Sequence, residues 1–98
     1  MVHWIRFEHE NNVGFGTLEN DTISVFSGNM FDNPTATGDS VALDAVKVLT
    51  PTEPTKMVCL WNNFHALAAR LKVQDPGEPL YFFKSPSAFL AHGEIIKR

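Results

Sequence analysis

The chain has 98 residues, with 44% hydrophobic and 19% charged side chains, and a formal net charge of −3 at pH 7. This composition is typical of a small folded protein that buries roughly 60–65% of its unfolded surface, and it differs from that of disordered chains. Because the net charge is negative and the sequence contains no basic run, a nucleic-acid partner is not expected.

The N-terminus and the cysteine content indicate the compartment. Charged residues within the first ten positions leave no apolar core for a signal peptide, and no stretch of about 20 apolar residues could span a membrane. Cys59, the single cysteine, cannot form an internal disulfide and lies in an apolar run. We therefore predict a soluble, cytoplasmic protein without a membrane partner.

Short antiparallel strands are predicted at the beginning of the chain, because residues 2–26 alternate between apolar and polar side chains. Turn-forming residues at 11–12 and 19–21 divide this region into three strands. Gly14 and Gly16 fall within the second strand, where they indicate a bulge or the close approach of a neighbouring backbone.

The middle of the chain carries weaker signals. Residues 28–40 are rich in turn formers and are predicted to form a surface loop. Residues 41–49 fit a short helix or a strand, and Pro51 and Pro54 end either element. We place a domain boundary at Pro51, which gives an accessory β-domain over residues 1–51 and a second domain that begins at residue 52 and continues to residue 98.

The second half reads as strand, helix and strand. The apolar run at residues 57–61 predicts a central strand buried on both faces. Helical spacing predicts a helix over residues 63–72, with Asn62 or Asn63 as its N-cap, and residues 80–84 form the next strand. The predicted fold class is therefore α+β, an N-terminal antiparallel β-domain followed by a strand-helix-strand segment of a mixed sheet.

Asn62 and His65 lie at the junction between that strand and the helix, where side chains and free backbone N–H groups can converge on an anionic ligand. His65 is a candidate general acid or base, since imidazole can act in either direction near neutral pH. The alternative is a capping or surface histidine. The four histidines lack the spacing of metal ligands, so we predict no histidine metal site.

Lys84 ends the last predicted strand next to a proline-containing segment. A lysine held there presents its charge at a fixed place, which suits a substrate carboxylate or a developing enolate. The alternative is an ordinary exposed lysine at a strand end.

The order of elements over residues 56–96 resembles the start of the catalytic domain in the fumarylacetoacetate hydrolase family. Members of that family cleave or isomerise 2-oxo, 1,3-dicarbonyl and enol acids on a divalent metal ion. Departures from the family's motifs imply that the chain is most similar to the bacterial hydroxyheptadienedioate isomerases and related decarboxylases. The resemblance covers the first half of the chain only loosely.

The family commonly has Gly-Leu-Asn-Tyr, two variable residues, His, two variable residues and Glu at this junction, and its His and Glu order and deprotonate water. Here His65 lies one residue closer to Asn62, and Ala68 stands three residues after it. The resemblance thus implies a catalytic role for His65 and a substrate-binding role for Asn62, but the acidic partner is missing at the expected position.

The segment from Phe82 to Ser87 is similar to the family pattern Phe-hydrophobic-Lys-Pro-x-Ser/Thr. The similarity implies that Lys84 is catalytic and that Ser87 contacts the substrate. Ser85 is an insertion before Pro86 relative to that pattern.

The family binds its metal ion through a Glu-x-Glu pair and a later aspartate, oxygen ligands of the kind that hard cations require. After Glu78 the one acidic residue of this chain is Glu94, so we expect no metal ligands in it. The resemblance implies Mg²⁺ or Mn²⁺ in a full-length member. We therefore expect no activity of the 98 residues alone.

Two functions follow as hypotheses. In the first, the chain is the N-terminal part of a homodimeric, metal-dependent enzyme of aromatic-compound catabolism that isomerises, decarboxylates or hydrolyses a small oxo-acid or enol dicarboxylate. In the second, it is a free-standing association domain with exposed strand edges.

Overall fold

The computed structural model describes residues 1–97. Short 3-10 turns at Leu43–Ala45 and Pro86–Ala88 accompany the following strands and helix: β1 His3–His9, β2 Asn12–Glu19, β3 Thr22–Asn29, β4 Asp32–Ala42, β5 Lys47–Val48, β6 Met57–Trp61, α1 His65–Leu71 and β7 Leu80–Lys84. Most of this structure is antiparallel sheet with one short helix, which agrees with the α+β class.

Strands β1 to β5 form one antiparallel sheet in the order β4-β3-β2-β1-β5. The three predicted strands at the start of the chain are confirmed. Glu10 and Asn11 connect β1 to β2, and Asn20 and Asp21 connect β2 to β3, all four with φ between 47° and 64°. Two-residue turns with positive φ match the twist of antiparallel strands, which explains why the chain reverses at these residues.

The surface loop predicted over residues 28–40 is wrong. Strand β3 continues to Asn29, and β4 occupies almost all of the remaining segment. Most β4 side chains are exposed, so the apolar alternation that marks a strand is absent. Pairing with β3 also changes register twice, between Ser24 and Phe26 and between Ser27 and Asn29. Backbone pairing therefore holds β4 where the sequence pattern gives no signal.

The core of this sheet is formed by Ile5, Phe7 and Ile23, of which Ile23 is fully buried. Val48 packs against the same cluster from β5, so part of the segment at residues 41–49 becomes a strand rather than a helix. Across β2, Gly16 faces β3 so closely that a Cβ atom would lie 2.1 Å from the backbone oxygen of Ser24. The close approach predicted from the glycines is confirmed.

Arg6 fastens the segment that follows β5 onto the sheet. Its guanidinium donates to the carbonyl oxygen of Thr50 at 2.9 Å and to Oε1 of Glu53 at 2.6 Å. The Arg6 side chain is only 14% exposed, whereas that of Glu53 is 80% exposed. Because exposed ion pairs contribute little, the bond to the Thr50 carbonyl is the stronger restraint on this segment.

Contacts divide the chain into a first unit of residues 1–53 and 90–97 and a second unit of residues 54–89. In the first unit, Oε2 of Glu94 accepts from the Ala91 backbone N–H at 3.2 Å, and Oε1 lies 3.3 Å from Nζ of Lys47. The assignment of residues 1–51 and 52–98 to an accessory and a catalytic domain stays a prediction.

The carboxylate of Glu94 is expected to make the first unit less stable in acid. The Ala91 N–H, and then Lys47, hold the pKa of Glu94 below its ordinary value of 4.5. A carboxylate with a lowered folded-state pKa stabilises the fold above that ordinary value, and the contribution is lost as the pH falls below it. The Glu94→Gln variant should therefore lose less stability than wild type between pH 7 and pH 3.5. Urea unfolding followed by Trp4 fluorescence, in a Trp61→Phe background, measures this difference.

The control for this measurement is Glu19→Gln, which removes an exposed carboxylate at the end of β2. It should follow the wild type at both pH values. Equal acid sensitivity of wild type and Glu94→Gln would contradict a contribution from Glu94.

In the second unit, β6 and β7 form a two-stranded antiparallel sheet separated in sequence by α1. The predicted order of strand, helix and strand is confirmed, but a mixed sheet is not, because residues 1–97 contain no parallel partner for either strand. The expectation that β6 is buried on both faces is also wrong here. Val58 is 58% exposed and Leu60 is 55% exposed, because no residue of the second unit covers their side of the two-stranded sheet.

The helix begins at His65, with Phe64 as an N-cap that makes no side-chain hydrogen bond. The prediction that Asn62 or Asn63 caps it is wrong. Asn62 adopts φ +53° and its side chain donates to the carbonyl oxygen of Gln74 instead. The helix ends at Leu71, where Lys72 takes the left-handed conformation.

None of the helices in residues 1–97 combines the length and apolar character that a membrane crossing requires.

Candidate functional site

A pocket of about 310 Å³ opens in the second unit at one end of the β6–β7 sheet. Three segments meet there: the end of β6 with the turn that follows it, the first residue of α1, and the loop that precedes β7. The walls combine apolar and polar groups, namely Leu60, Trp61, Asn62, Asn63, His65, Asp75, Pro76, Gly77, Glu78, Pro79 and Leu80. A pocket of this size with a few convergent polar groups can hold a small molecule.

His65 stands in this pocket with a carboxylate beside it. Nδ1 of His65 lies 3.2 Å from Oδ2 of Asp75, within hydrogen-bonding distance. Both side chains are open to solvent, at 90% and 62% exposure. When Nδ1 donates to the carboxylate, Nε2 is left free to accept or donate a proton elsewhere.

Asp75 is a candidate that the sequence reasoning missed. It lies ten residues after His65, in the loop that returns the chain from α1 to β7. A motif search looks for an acid one helical turn after the histidine, where Ala68 stands and is buried. The pairing arises only because the loop folds back on the start of the helix, so spacing alone could not have identified it.

Asn62 also lines the pocket, but part of its side chain has a structural task. Its Nδ2 donates to the Gln74 carbonyl at 3.0 Å, which ties the turn after β6 to the residue before Asp75. Asparagine tolerates the positive φ of this turn better than most residues. Asn62 thus holds the two sides of the pocket together, and its predicted role in substrate binding stays a prediction.

Lys84 and Ser87 are not among the residues that line this pocket. In the register of the β6–β7 sheet, Trp61 pairs with Leu80 at the pocket end, whereas Met57 pairs with Lys84 at the other end. Four residues of strand, about 13 Å, separate the two ends. Nζ of Lys84 lies 5.8 Å from the centre of the Phe82 ring, and the Ser87 hydroxyl bonds to that of Ser85 at 3.0 Å.

The structure therefore brings Asn62 and His65 together and does not bring Lys84 or Ser87 to them. Roles for Lys84 and Ser87 stay predictions. The ionisable side chains that line the pocket are Asp75, Glu78 and His65, so the pocket contains no lysine or arginine.

A metal ion of the kind used by the metal-dependent family needs several donor side chains grouped around it. Among residues 1–97, no three His, Cys, Asp or Glu side chains are grouped closely enough to hold a metal ion. The described residues therefore offer no site for the Mg²⁺ or Mn²⁺ that is expected in a full-length family member.

Comparison with solved structures places the fold among bacterial enzymes. The 5-carboxymethyl-2-hydroxymuconate delta-isomerase of Mycobacterium smegmatis is 27% identical with a TM-score of 0.72. The 2-hydroxyhepta-2,4-diene-1,7-dioate isomerase of Mycobacterium marinum is 24% identical, also with a TM-score of 0.72, and shows the fold alone. Each match covers 90% of this chain and 34% of the other, so this chain spans about a third of those proteins.

Comparison by sequence also matches this chain to part of a longer protein. An uncharacterized protein of Archaeoglobus fulgidus is 36% identical over 59 residues, which are 60% of this chain and 24% of that protein. The free-standing association domain is not favoured by these comparisons. The sequence profile of the family described as Rv2993c-like, N-terminal, matches residues 2–51, slightly more than half of the chain. The chain belongs to the Rv2993c-like N-terminal family.

Proposed function

We propose that the chain is the N-terminal region of a fumarylacetoacetate hydrolase-family enzyme that isomerises enol dicarboxylic acids. The observation that carries this proposal is the fold similarity over 90% of the chain to a protein named as a 5-carboxymethyl-2-hydroxymuconate delta-isomerase. A second neighbour, named as a 2-hydroxyhepta-2,4-diene-1,7-dioate isomerase, shares the fold. Decarboxylation and C–C bond hydrolysis are the other reactions that the family resemblance implies.

The names of these neighbours define the chemistry to be supplied. A 2-hydroxy-2,4-diene acid becomes a 2-oxo acid when a proton leaves the hydroxyl oxygen and a proton is added to a carbon of the diene. No other atom is gained or lost. Such a reaction needs a group that can both take and give a proton, and Nε2 of His65 beside Asp75 is such a group at this pocket.

The charges of the pocket limit what this chain contributes. A dicarboxylate carries two negative charges, and Asp75 and Glu78 at the pocket oppose its approach. We therefore assign substrate-carboxylate binding and the expected Mg²⁺ or Mn²⁺ to residues outside this chain, with Lys84 as the cation that this chain could add. A homodimer in the cytoplasm completes the proposal.

The test is a conversion assay with the full-length gene product. Incubated with 2-hydroxyhepta-2,4-diene-1,7-dioate and Mg²⁺ or Mn²⁺, that protein should remove the ultraviolet absorbance of the conjugated enol at least 100-fold faster than buffer, and the 98-residue chain should give only the buffer rate. The products are identified by mass spectrometry, because isomerisation leaves the mass unchanged. A full-length product that neither isomerises, decarboxylates nor cleaves the enol acids named for the two neighbours would overturn the proposal.

A further inference from the structure

One face of the two-stranded β6–β7 sheet is apolar and exposed. Directly paired residues share a face in an antiparallel sheet, and the register pairs Val58 with Phe83 and Leu60 with Tyr81. These four side chains are between 55% and 66% exposed. We call them the bare face.

The side chains on the other face of the β6–β7 sheet are on average less exposed than those of the bare face. Met57 and Cys59 are half-buried there, Leu80 and Phe82 are 38% and 40% exposed, and Trp61 at the end of β6 is 51% exposed. The bare face contains no charged side chain, and the Tyr81 hydroxyl is its one polar group. Four adjacent apolar side chains in the middle of two strands form a patch that a solvent-facing sheet side would break with polar residues.

The size of the patch helps to identify what covers it. The four side chains offer on the order of 450 Å² of apolar surface, if each aromatic can bury 150–250 Å². A stable complex between separate molecules buries about 800 Å² on each partner. A segment of the same polypeptide needs less, because it does not lose translational and rotational freedom when it packs.

Two further observations agree with a covering segment in the same polypeptide. A two-stranded antiparallel sheet is marginally stable on its own and requires more strands or packing on its face. In the solved structures of similar fold, the part that this chain matches is 34% of the length. We infer that the bare face is an inner face of a larger domain, covered by an apolar segment of the same polypeptide that follows residue 98. This inference rests on the proposed function only in that the chain is part of a longer protein.

Hydroxyl-radical footprinting read by mass spectrometry tests this inference. Tyr81 is the one tyrosine of the 98 residues, and with Phe83 it reports on the bare face. Phe31, which is 77% exposed in the turn between β3 and β4, serves as the control. In the full-length gene product, Tyr81 and Phe83 should be oxidised at least five times more slowly than in the 98-residue chain, with Phe31 equally reactive in both.

Equal oxidation of Tyr81 and Phe83 in the two proteins would overturn the inference, as would a reading frame that ends at Arg98. Protection of Tyr81 in the 98-residue chain that increases with concentration would assign the bare face to a second copy, and would overturn it too. Failure of the proposed function is distinguishable, because absent conversion in the enzyme assay leaves the protection of Tyr81 unchanged.

Discussion

Replacement of Gly16 by alanine is expected to destabilise the five-stranded sheet by about 3 kcal/mol or more, enough to unfold much of a small domain. The added Cβ would lie 2.1 Å from the Ser24 carbonyl oxygen and 3.0 Å from Cγ2 of Ile23. Ser24 is held by its pairing with Thr17, and Ile23 is the fully buried residue of the core. Neither neighbour can move away without separating β2 from β3.

Gly14→Ala is the matched control, since Gly14 lies two residues earlier on the same face of β2. Its added Cβ would be 3.1 Å from Cζ of the Phe7 ring, a side-chain contact that can relax by a small rotation. The Gly14 variant should therefore lose at least about 2 kcal/mol less than the Gly16 variant. Urea unfolding followed by Trp4 fluorescence, in a Trp61→Phe background, measures the first unit alone. Equal stability of the two variants would show that β2 and β3 do not approach as closely as described.

The sequence predicted the first three strands because local and tertiary signals agree there. Each connection is a two-residue turn of residues that tolerate positive φ, and the apolar residues between the turns alternate. Strand β4 was missed because the opposite holds. Its side chains are mostly exposed, its pairing changes register twice, and Gly38 takes a φ of +89° within it. Edge strands held by backbone pairing alone leave little trace in composition.

The candidate site was predictable only in part, because its two halves come from different kinds of signal. The strand-helix junction follows from an apolar run and helical spacing, and this located Asn62 and His65. Asp75 reaches His65 through the path of an irregular loop, which no spacing rule describes. The separation of Lys84 from His65 likewise follows from the register between β6 and β7. The sequence predicts His65 at a strand-helix junction and Lys84 at a strand end, but it does not indicate which end of β7 lies beside that junction.

The position of His65 also explains why its function can be tested without disturbing the fold. Its side chain is 90% exposed, and Asp75 is the one side chain to which it is bonded in residues 1–97. Truncation of an exposed side chain at the start of a helix usually changes stability by less than about 0.5 kcal/mol. A loss of activity in such a variant would therefore report on chemistry rather than on unfolding.

Under the proposed function, His65→Ala in the full-length gene product is expected to slow isomerisation by about 10²- to 10⁴-fold, the usual contribution of a general acid or base. Asp75→Asn should have a smaller effect, about tenfold, because it removes the charge beside an imidazole that is itself retained. His3→Ala, an exposed histidine at the start of β1, is the control and should keep full activity.

Added imidazole separates a proton-transfer role from a structural one. The open surroundings of residue 65 admit free imidazole, which should restore a measurable part of the activity of His65→Ala and none of that lost in unfolded protein. A folded His65→Ala variant that keeps more than a third of the wild-type rate would remove His65 from the chemistry. A large loss without imidazole rescue would assign it to holding Asp75 and the loop in place. Rescue in His65→Ala with no effect in His3→Ala would identify residue 65 as the point at which the proton enters or leaves.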